Sequence, residues 1–296
     1  MSFIELYTSR SLAFGGLERD FGEADYIVSG VPFDVTSTYR SGSRFAPKAI
    51  REASLNIETY SFRSGTDFEE VKLHDLGDLD VSGDVKETLR RLELVTGEVF
   101  RAAKMPILIG GEHTITLGAI RGFGKDLAVL SFDAHLDLRD EYMGRRLGHA
   151  TFMRRIAEEK NVSRTIEVGT RAVCQEEIKF VRKSGIRFFT SDQIIENGVK
   201  EVSGEIRGLL KECEGVYLSL DMDVLDPAFA PGVQNPEPDG LSTRMLLNLI
   251  CEVCSDRVAA LDVTEVTPPY DTGVTAVQAA KAIIEAVCCL ERSKGR

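Results

Sequence analysis

No stretch of the 296-residue chain approaches the ~18 consecutive apolar residues that a membrane span requires. The first ten residues carry neither a long apolar core nor an Arg/Ser-rich amphipathic pattern, so no targeting segment is read there. No membrane partner is expected, and the expected compartment is the cytoplasm. Positive charge is also short, with 36 Lys and Arg against 47 Asp and Glu and a formal net charge of −11. Such a balance excludes a charge-driven grip on phosphate backbones, so nucleic acid is not an expected partner. Proline is scarce at 9 residues, and no Pro/Gly/Ser-rich linker, charge block or internal repeat divides the chain. The organisation expected is one domain over residues 1–296. Cysteine is absent before Cys174, and none of the six cysteines stands with histidine at zinc-finger spacing. Cys251 and Cys254 form C-x-x-C inside an apolar-periodic run rather than at a strand-to-helix turn, so the cysteines read as plain core thiols in a reducing compartment. At this length folding buries about three quarters of the unfolded chain's surface, and no disulfide staple is needed.

What the chain does have is eight apolar runs of strand length, near residues 26–31, 71–76, 106–109, 127–133, 165–169, 186–190, 215–221 and 259–263. Helical spacing fills most of the intervals, as in 85–105, 151–160, 175–184, 198–214 and 243–256, and a long closing helix is expected over 275–292. The runs are apolar almost throughout rather than alternating, which is how strands buried on both faces of a parallel sheet read. The fold class expected is therefore α/β. In open parallel sheets ligands bind outside the carboxyl ends of the strands, and three strand ends here carry unusual residues.

The first is Leu130-Ser131-Phe132-Asp133-Ala134-His135-Leu136-Asp137, where Asp133, His135 and Asp137 alternate with apolar neighbours. On an extended chain that alternation puts all three on one side, ~7 Å apart from one to the next. The second is Leu218-Ser219-Leu220-Asp221-Met222-Asp223, in which two carboxylates close together resist desolvation unless a cation compensates them. The third, Pro106-Ile107-Leu108-Ile109-Gly110-Gly111-Glu112-His113, runs an apolar strand into a glycine pair and then His113. Two histidines and four aspartates are too rich in carboxylate for a soft metal and too many for one structural zinc. They suit a pair of Mn²⁺-like ions, whose chemistry is to acidify a shared water, and the reaction class expected is metal-assisted hydrolysis. His74 lies in a strand-like run away from every motif and reads as structural.

These segments resemble the signatures of the ureohydrolases, the family of arginase, agmatinase and relatives: Gly110-Gly111-Glu112-His113-Thr114, Ser131-Phe132-Asp133-Ala134-His135-Leu136-Asp137, and Ser219-Leu220-Asp221-Met222-Asp223-Val224-Leu225-Asp226-Pro227. The similarity continues in Gly30-Val31-Pro32-Phe33-Asp34, in 40–51 and in 262–271, and spans about residues 24–287. It implies a three-layer α/β/α sandwich around a mostly parallel eight-stranded sheet. It also implies two Mn²⁺ per subunit, one held by His113, Asp133, Asp137 and Asp221, the other by Asp133, His135, Asp221 and Asp223. Glu265 is implied to pair with a guanidinium, His149 in its loop to shuttle protons, and Asp137 to carry a proton to the departing amine. The activity implied is hydrolysis of the guanidino group of agmatine to urea and a primary amine such as putrescine, within a homo-oligomer, trimeric or hexameric.

Departures bear on the substrate. Gln234 and Asn235 stand where relatives commonly carry glycine and a hydroxyl residue, with Asn235 expected near the guanidinium. The 138–148 loop offers Asp140 and Glu141 for a cationic tail but also Arg145 and Arg146 for a carboxylate. Arginine, guanidinobutyrate, aminopropylagmatine and formiminoglutamate are alternative substrates of the same chemistry. A one-zinc deacetylase of related fold and a non-catalytic guanidino- or metal-binding protein are readings from other classes.

Overall fold

The computed structural model describes residues 2–295. Eleven strands occur among them: β1 (Thr8–Ser9), β2 (Tyr26–Val31), β3 (Tyr60–Ser61), β4 (Thr66–Asp67), β5 (Leu73–Leu79), β6 (Met105–Gly110), β7 (Leu127–Phe132), β8 (Val162–Thr170), β9 (Arg187–Thr190), β10 (Val216–Asp221) and β11 (Val258–Thr264). β3 and β4 form a small hairpin, and the other nine make one sheet in the order β1-β5-β2-β6-β11-β10-β7-β8-β9. All eight expected runs are strands of that sheet and pair in parallel. The ninth strand is a correction to the expected eight: β1 pairs antiparallel with β5 through Thr8 and Ser9 alone, too short to leave a periodic signal.

Alternate residues of each strand enter opposite cores, as Tyr26 and Val28 against Ile27 and Val31 show in β2. Helices 46–54, 199–210, 243–253 and 274–293 supply the first core, and helices 85–101, 115–121, 152–156 and 175–184 the second. The result is three layers, as the resemblance implied. Helix Gln175–Ser184 has the bounds expected, opened by a capping box to Glu177 and closed by Gly185 in the left-handed region. Helix Val85–Arg101 stops short of the expected residue 105, because the chain turns through Ala103 at φ +58 to start β6.

Strand order sets the site. From β7 the chain winds outward through β8 and β9, then returns to insert β10 and β11 between β7 and β6. The four central strands β6, β11, β10 and β7 thus end side by side where winding reverses, which is where a crevice opens in such sheets.

One expectation about cysteine is overturned. Cys251 on helix 243–253 is disulfide-bonded to Cys289 on helix 274–293, while Cys254 and Cys288 are buried free thiols. Packing of those two helices, which sequence spacing does not reveal, brings the pair together. Closing a 38-residue separation restricts the unfolded chain by about 4 kcal/mol in the chain-entropy treatment. Cys251→Ser should therefore lower the urea midpoint markedly, and reductant should do the same to the wild type, with activity per folded molecule kept. A midpoint indifferent to both would show that the bond contributes nothing.

Candidate metal and catalytic site

His113 follows β6 through Gly110-Gly111, and no larger residue fits at 111, where a Cβ would lie 1.9 Å from the Phe33 carbonyl oxygen. The imidazole is fully buried, with Nδ1 3.0 Å from both Asp133 Oδ2 and Asp221 Oδ2. Its other nitrogen, Nε2, lies 2.8 Å from Ser219 Oγ, and that hydroxyl donates to Asp262 Oδ1. With its proton given to Asp262, Ser219 can only accept from Nε2–H. A neutral His113 therefore presents a bare Nδ1 lone pair to two carboxylates, and Nδ1 has no hydrogen-bond partner. That is the tautomer a metal-binding histidine needs, fixed through its far nitrogen.

Beside it, His135 Nδ1 lies 3.5 Å from Asp133 Oδ1 and 3.1 Å from Asp223 Oδ2. The ligand-capable atoms form two triads, His113/Asp133/Asp221 and Asp133/His135/Asp223, with Asp133 common to both. Burial raises the Asp221 carboxyl well above the usual range, and the neighbouring Asp223 and Asp133 charges add to the rise. Asp137 is raised well above it for the same two reasons, burial and then the Asp133 charge. Burial pushes Asp133 the same way, but in the metal-free protein His113, itself raised by the surrounding carboxylates, and His135 outweigh it when protonated and hold this carboxyl low. His135 is raised far above its ordinary value, since Asp223 and Asp133 overcome the effect of burial. A group of buried carboxylates that drives protons onto its own members fits divalent cations.

The geometry departs from the expected ladder on an extended chain. β7 ends at Phe132, and Asp137 has φ +51, so it is not aligned with Asp133 and His135. It lines the same cavity without joining either triad. Asp223 sits on a short 3₁₀ turn, its N–H donating to Asp221 Oδ1 at 2.8 Å.

Glu265 follows β11 at φ +66 and is 2 % exposed. Its Oε1 accepts from the His113 N–H at 2.6 Å, and Oε2 is buried with no partner. His149, in its loop, is 5 % exposed. Its Nδ1 is 3.6 Å from Glu265 Oε1 and its Nε2 is 2.9 Å from Thr38 Oγ1. Burial lowers the His149 imidazole, but the Glu265 carboxylate prevails and raises it. Beneath it Glu112 accepts from the Thr36 N–H at 2.6 Å, and Thr36 Oγ1 accepts from the His149 N–H at 2.9 Å. His74 is apart from all of this, bonded through Nδ1 to the Arg19 carbonyl at 2.7 Å.

A cavity of about 420 Å³ joins these groups and is lined by His135, Asp137, His149, Asp221, Asp223, Asn235 and Glu265. Asp140, Glu141, Arg145 and Arg146, expected at its mouth, are not among the lining residues. Asp140 is drawn away by Arg155 at 2.6 Å and Arg146 at 2.9 Å, and Arg145 bonds the Val35 carbonyl. Gln234 is also turned inward, its Nε2 donating to Ser43 Oγ at 2.7 Å. The cavity lining also includes residues that sequence reasoning missed, among them Thr38, Arg139, Tyr142, Arg171, Glu177 and Glu237. Arg171 is held by backbone carbonyls that include Asp223, Leu225, Glu237 and Pro238. Arg139 lies over the Tyr142 ring at 4.6 Å.

The model of the arginase family matches residues 24–289. The chain belongs to the arginase family. Its relatives include an agmatinase of Bacillus anthracis, 33% identical over 292 residues that cover 96% of this chain and 98% of that one. A guanidinopropionase of Pseudomonas aeruginosa is 34% identical over 277 residues, 90% of this chain and 87% of that one. Among solved structures, the agmatine ureohydrolase of Thermoplasma volcanium superposes with a TM-score of 0.88 at 34% identity, covering 98% and 97% of the two chains. Both relatives are nearly equally distant by identity, so overall similarity does not rank one arginase-family substrate above another for this chain.

Proposed function

We propose that this chain is a dinuclear-manganese ureohydrolase that cleaves the guanidino group of agmatine, or of a related linear guanidino amine, to urea and a primary amine. The observation that carries the reading is the Glu265 carboxylate beside the two triads, one oxygen fixed by the His113 N–H and the other buried without a partner. A planar guanidinium supplies the matched pair of N–H donors that such an oxygen lacks. His113, Asp133, Asp137 and Asp221 would hold one ion, and Asp133, His135, Asp221 and Asp223 the other. When bound, paired divalent ions supply a water acidic enough to give hydroxide near neutral pH.

The chain's own residues do the rest. Glu265 binds and orients the guanidinium with its carbon toward the triads. Asp137, on the wall of the same cavity, holds the proton released from the attacking water and delivers it to the departing nitrogen. His149 takes protons onward, with Thr38, itself on the cavity wall, at its Nε2. Asn235 lines the same cavity and would lie near the guanidinium.

For the tail, Glu237 supports a cation: it lines the cavity and forms no salt bridge among the described residues, with only the electrostatic influence of Arg171 nearby, whereas Asp140 is spent on arginines. Urea release from agmatine, aminopropylagmatine, guanidinobutyrate and arginine should show the two cation-tailed compounds turned over at least about tenfold better in kcat/KM, the scale of one favourable charge contact. A preference for guanidinobutyrate would point to a cavity-lining arginine, Arg139 or Arg171, as the tail's partner and remove agmatine as the substrate. Release of no urea from any of the four would remove the ureohydrolase reading itself.

A further inference from the structure

Asp137 occupies the left-handed region without being glycine, a conformation that persists only where its surroundings hold it. The peptide that follows it is gripped from two sides. The Asp137 carbonyl accepts from the Arg154 N–H at 3.3 Å. The Leu138 N–H donates to Glu177 Oε1 at 3.0 Å. Glu177 is 3 % exposed, and its second oxygen accepts from the Cys174 N–H at 2.8 Å, the residue that caps helix 175–184. One buried carboxylate thus bolts the loop after β7 to the first turn of a helix that follows the next strand.

A capping glutamate ordinarily serves its own helix and faces solvent. This one is buried, spends one oxygen on the helix and the other on a loop 39 residues away, and lines the candidate cavity. We propose that Glu177 is a positioning residue whose Leu138 arm holds Asp137 in the conformation that completes the first metal position. The inference rests on the reading of Asp137 as a ligand. It makes no use of Glu177 touching substrate.

Glu177→Gln tests it, because an amide keeps the size but can accept from one N–H only, leaving either Leu138 or Cys174 opposed by an NH₂ group. The metal-free protein should be titrated with Mn²⁺ and the free ion followed by electron paramagnetic resonance, alongside thermal melting of the same samples. The wild type should bind two ions per chain. In Glu177→Gln one of the two steps should weaken by about 10- to 100-fold, the usual cost of losing a group that orients a ligand, and the other should hold. Lys179→Gly, at an exposed position in the same helix, is the control, since it weakens the helix without touching the loop.

Selective loss of one binding step in Glu177→Gln but not in Lys179→Gly supports the proposal. Equal losses in Glu177→Gln and Lys179→Gly, or two unchanged steps in both Glu177→Gln and Glu177→Ala, the latter having no arm to either N–H, would overturn it and leave Glu177 as a helix cap. A wild type that binds no Mn²⁺ would instead refute the metal reading on which the proposal depends. Should Glu177→Gln fail to fold, Glu177→Asp keeps the charge near the helix N-terminus while the side chain, one methylene shorter, cannot span both N–H groups, and the same selective loss is expected of it.

Discussion

Asp133→Ala is expected to release both metal ions and to lower kcat/KM by about 10⁴ or more, equivalent to about 5 kcal/mol of lost transition-state stabilisation. Asp133 is the one residue common to both triads. One of its oxygens faces His113 and the other His135, so no single neighbour can replace it. His135→Ala, by contrast, disturbs only the triad with Asp223 and should retain about one ion. The same logic fixes the stability result. In the metal-free protein Asp133 is held low by His113 and His135, so its removal strips two buried imidazoles of their partner and should weaken the apo fold, an effect that relief of the repulsion on Asp137 and Asp221 offsets only in part. Added Mn²⁺ should raise the melting temperature of the wild type through linkage and leave that of Asp133→Ala unmoved. Metal analysis, kinetics and melting on one set of samples decide it. Two ions retained in Asp133→Ala, or full wild-type activity with one zinc, would end the dinuclear reading.

The sheet was legible because its strands are buried on both faces, so each appears as an apolar run that needs no partner to be seen. β1 escaped because two residues paired to an edge carry no pattern. Helix Ile115–Arg121 escaped for a different reason: six of its seven residues are buried, and Thr116, Gly118 and Ala119 give it no polar face. In the site, residue types at strand ends pointed to a cation, but torsions did not follow from them. Asp137, in the loop after β7, and Glu265, directly after β11, both adopt left-handed conformations, which spacing cannot announce for non-glycine residues. The rim was the least legible part. Whether Asp140 or Arg139 borders the cavity depends on Arg155, a residue whose position is set by helix 152–156 and the turn after it rather than by the loop itself. The disulfide was hidden likewise, since Cys251 and Cys289 meet only once two helices dock.

Glu265→Gln should reduce kcat/KM by about 10² to 10⁴ while both ions stay bound. The Glu265 backbone is held by its N–H to the Gly111 carbonyl at 2.9 Å and by its carbonyl accepting from the Gln234 N–H at 3.2 Å, so the side chain leaves from a fixed point. A glutamine there would keep its oxygen on the His113 N–H, the contact now 2.6 Å long. Its NH₂ group then takes the place of the partnerless Oε2, and a donor faces the N–H groups of an incoming guanidinium. Both the charge and one of two parallel hydrogen bonds are lost, and a buried donor is left opposed. A charged hydrogen bond is worth about 1.5 to 3 kcal/mol and an unsatisfied buried group costs a comparable amount, which together give the range stated. Because Glu265 belongs to neither triad, metal content separates this failure from that of Asp133→Ala. Glu265→Asp should also be poor, since the charge returns but the carboxylate is drawn back by one methylene. Wild-type kinetics in Glu265→Gln, or loss of metal with loss of rate, would show that this carboxylate does not face the guanidinium.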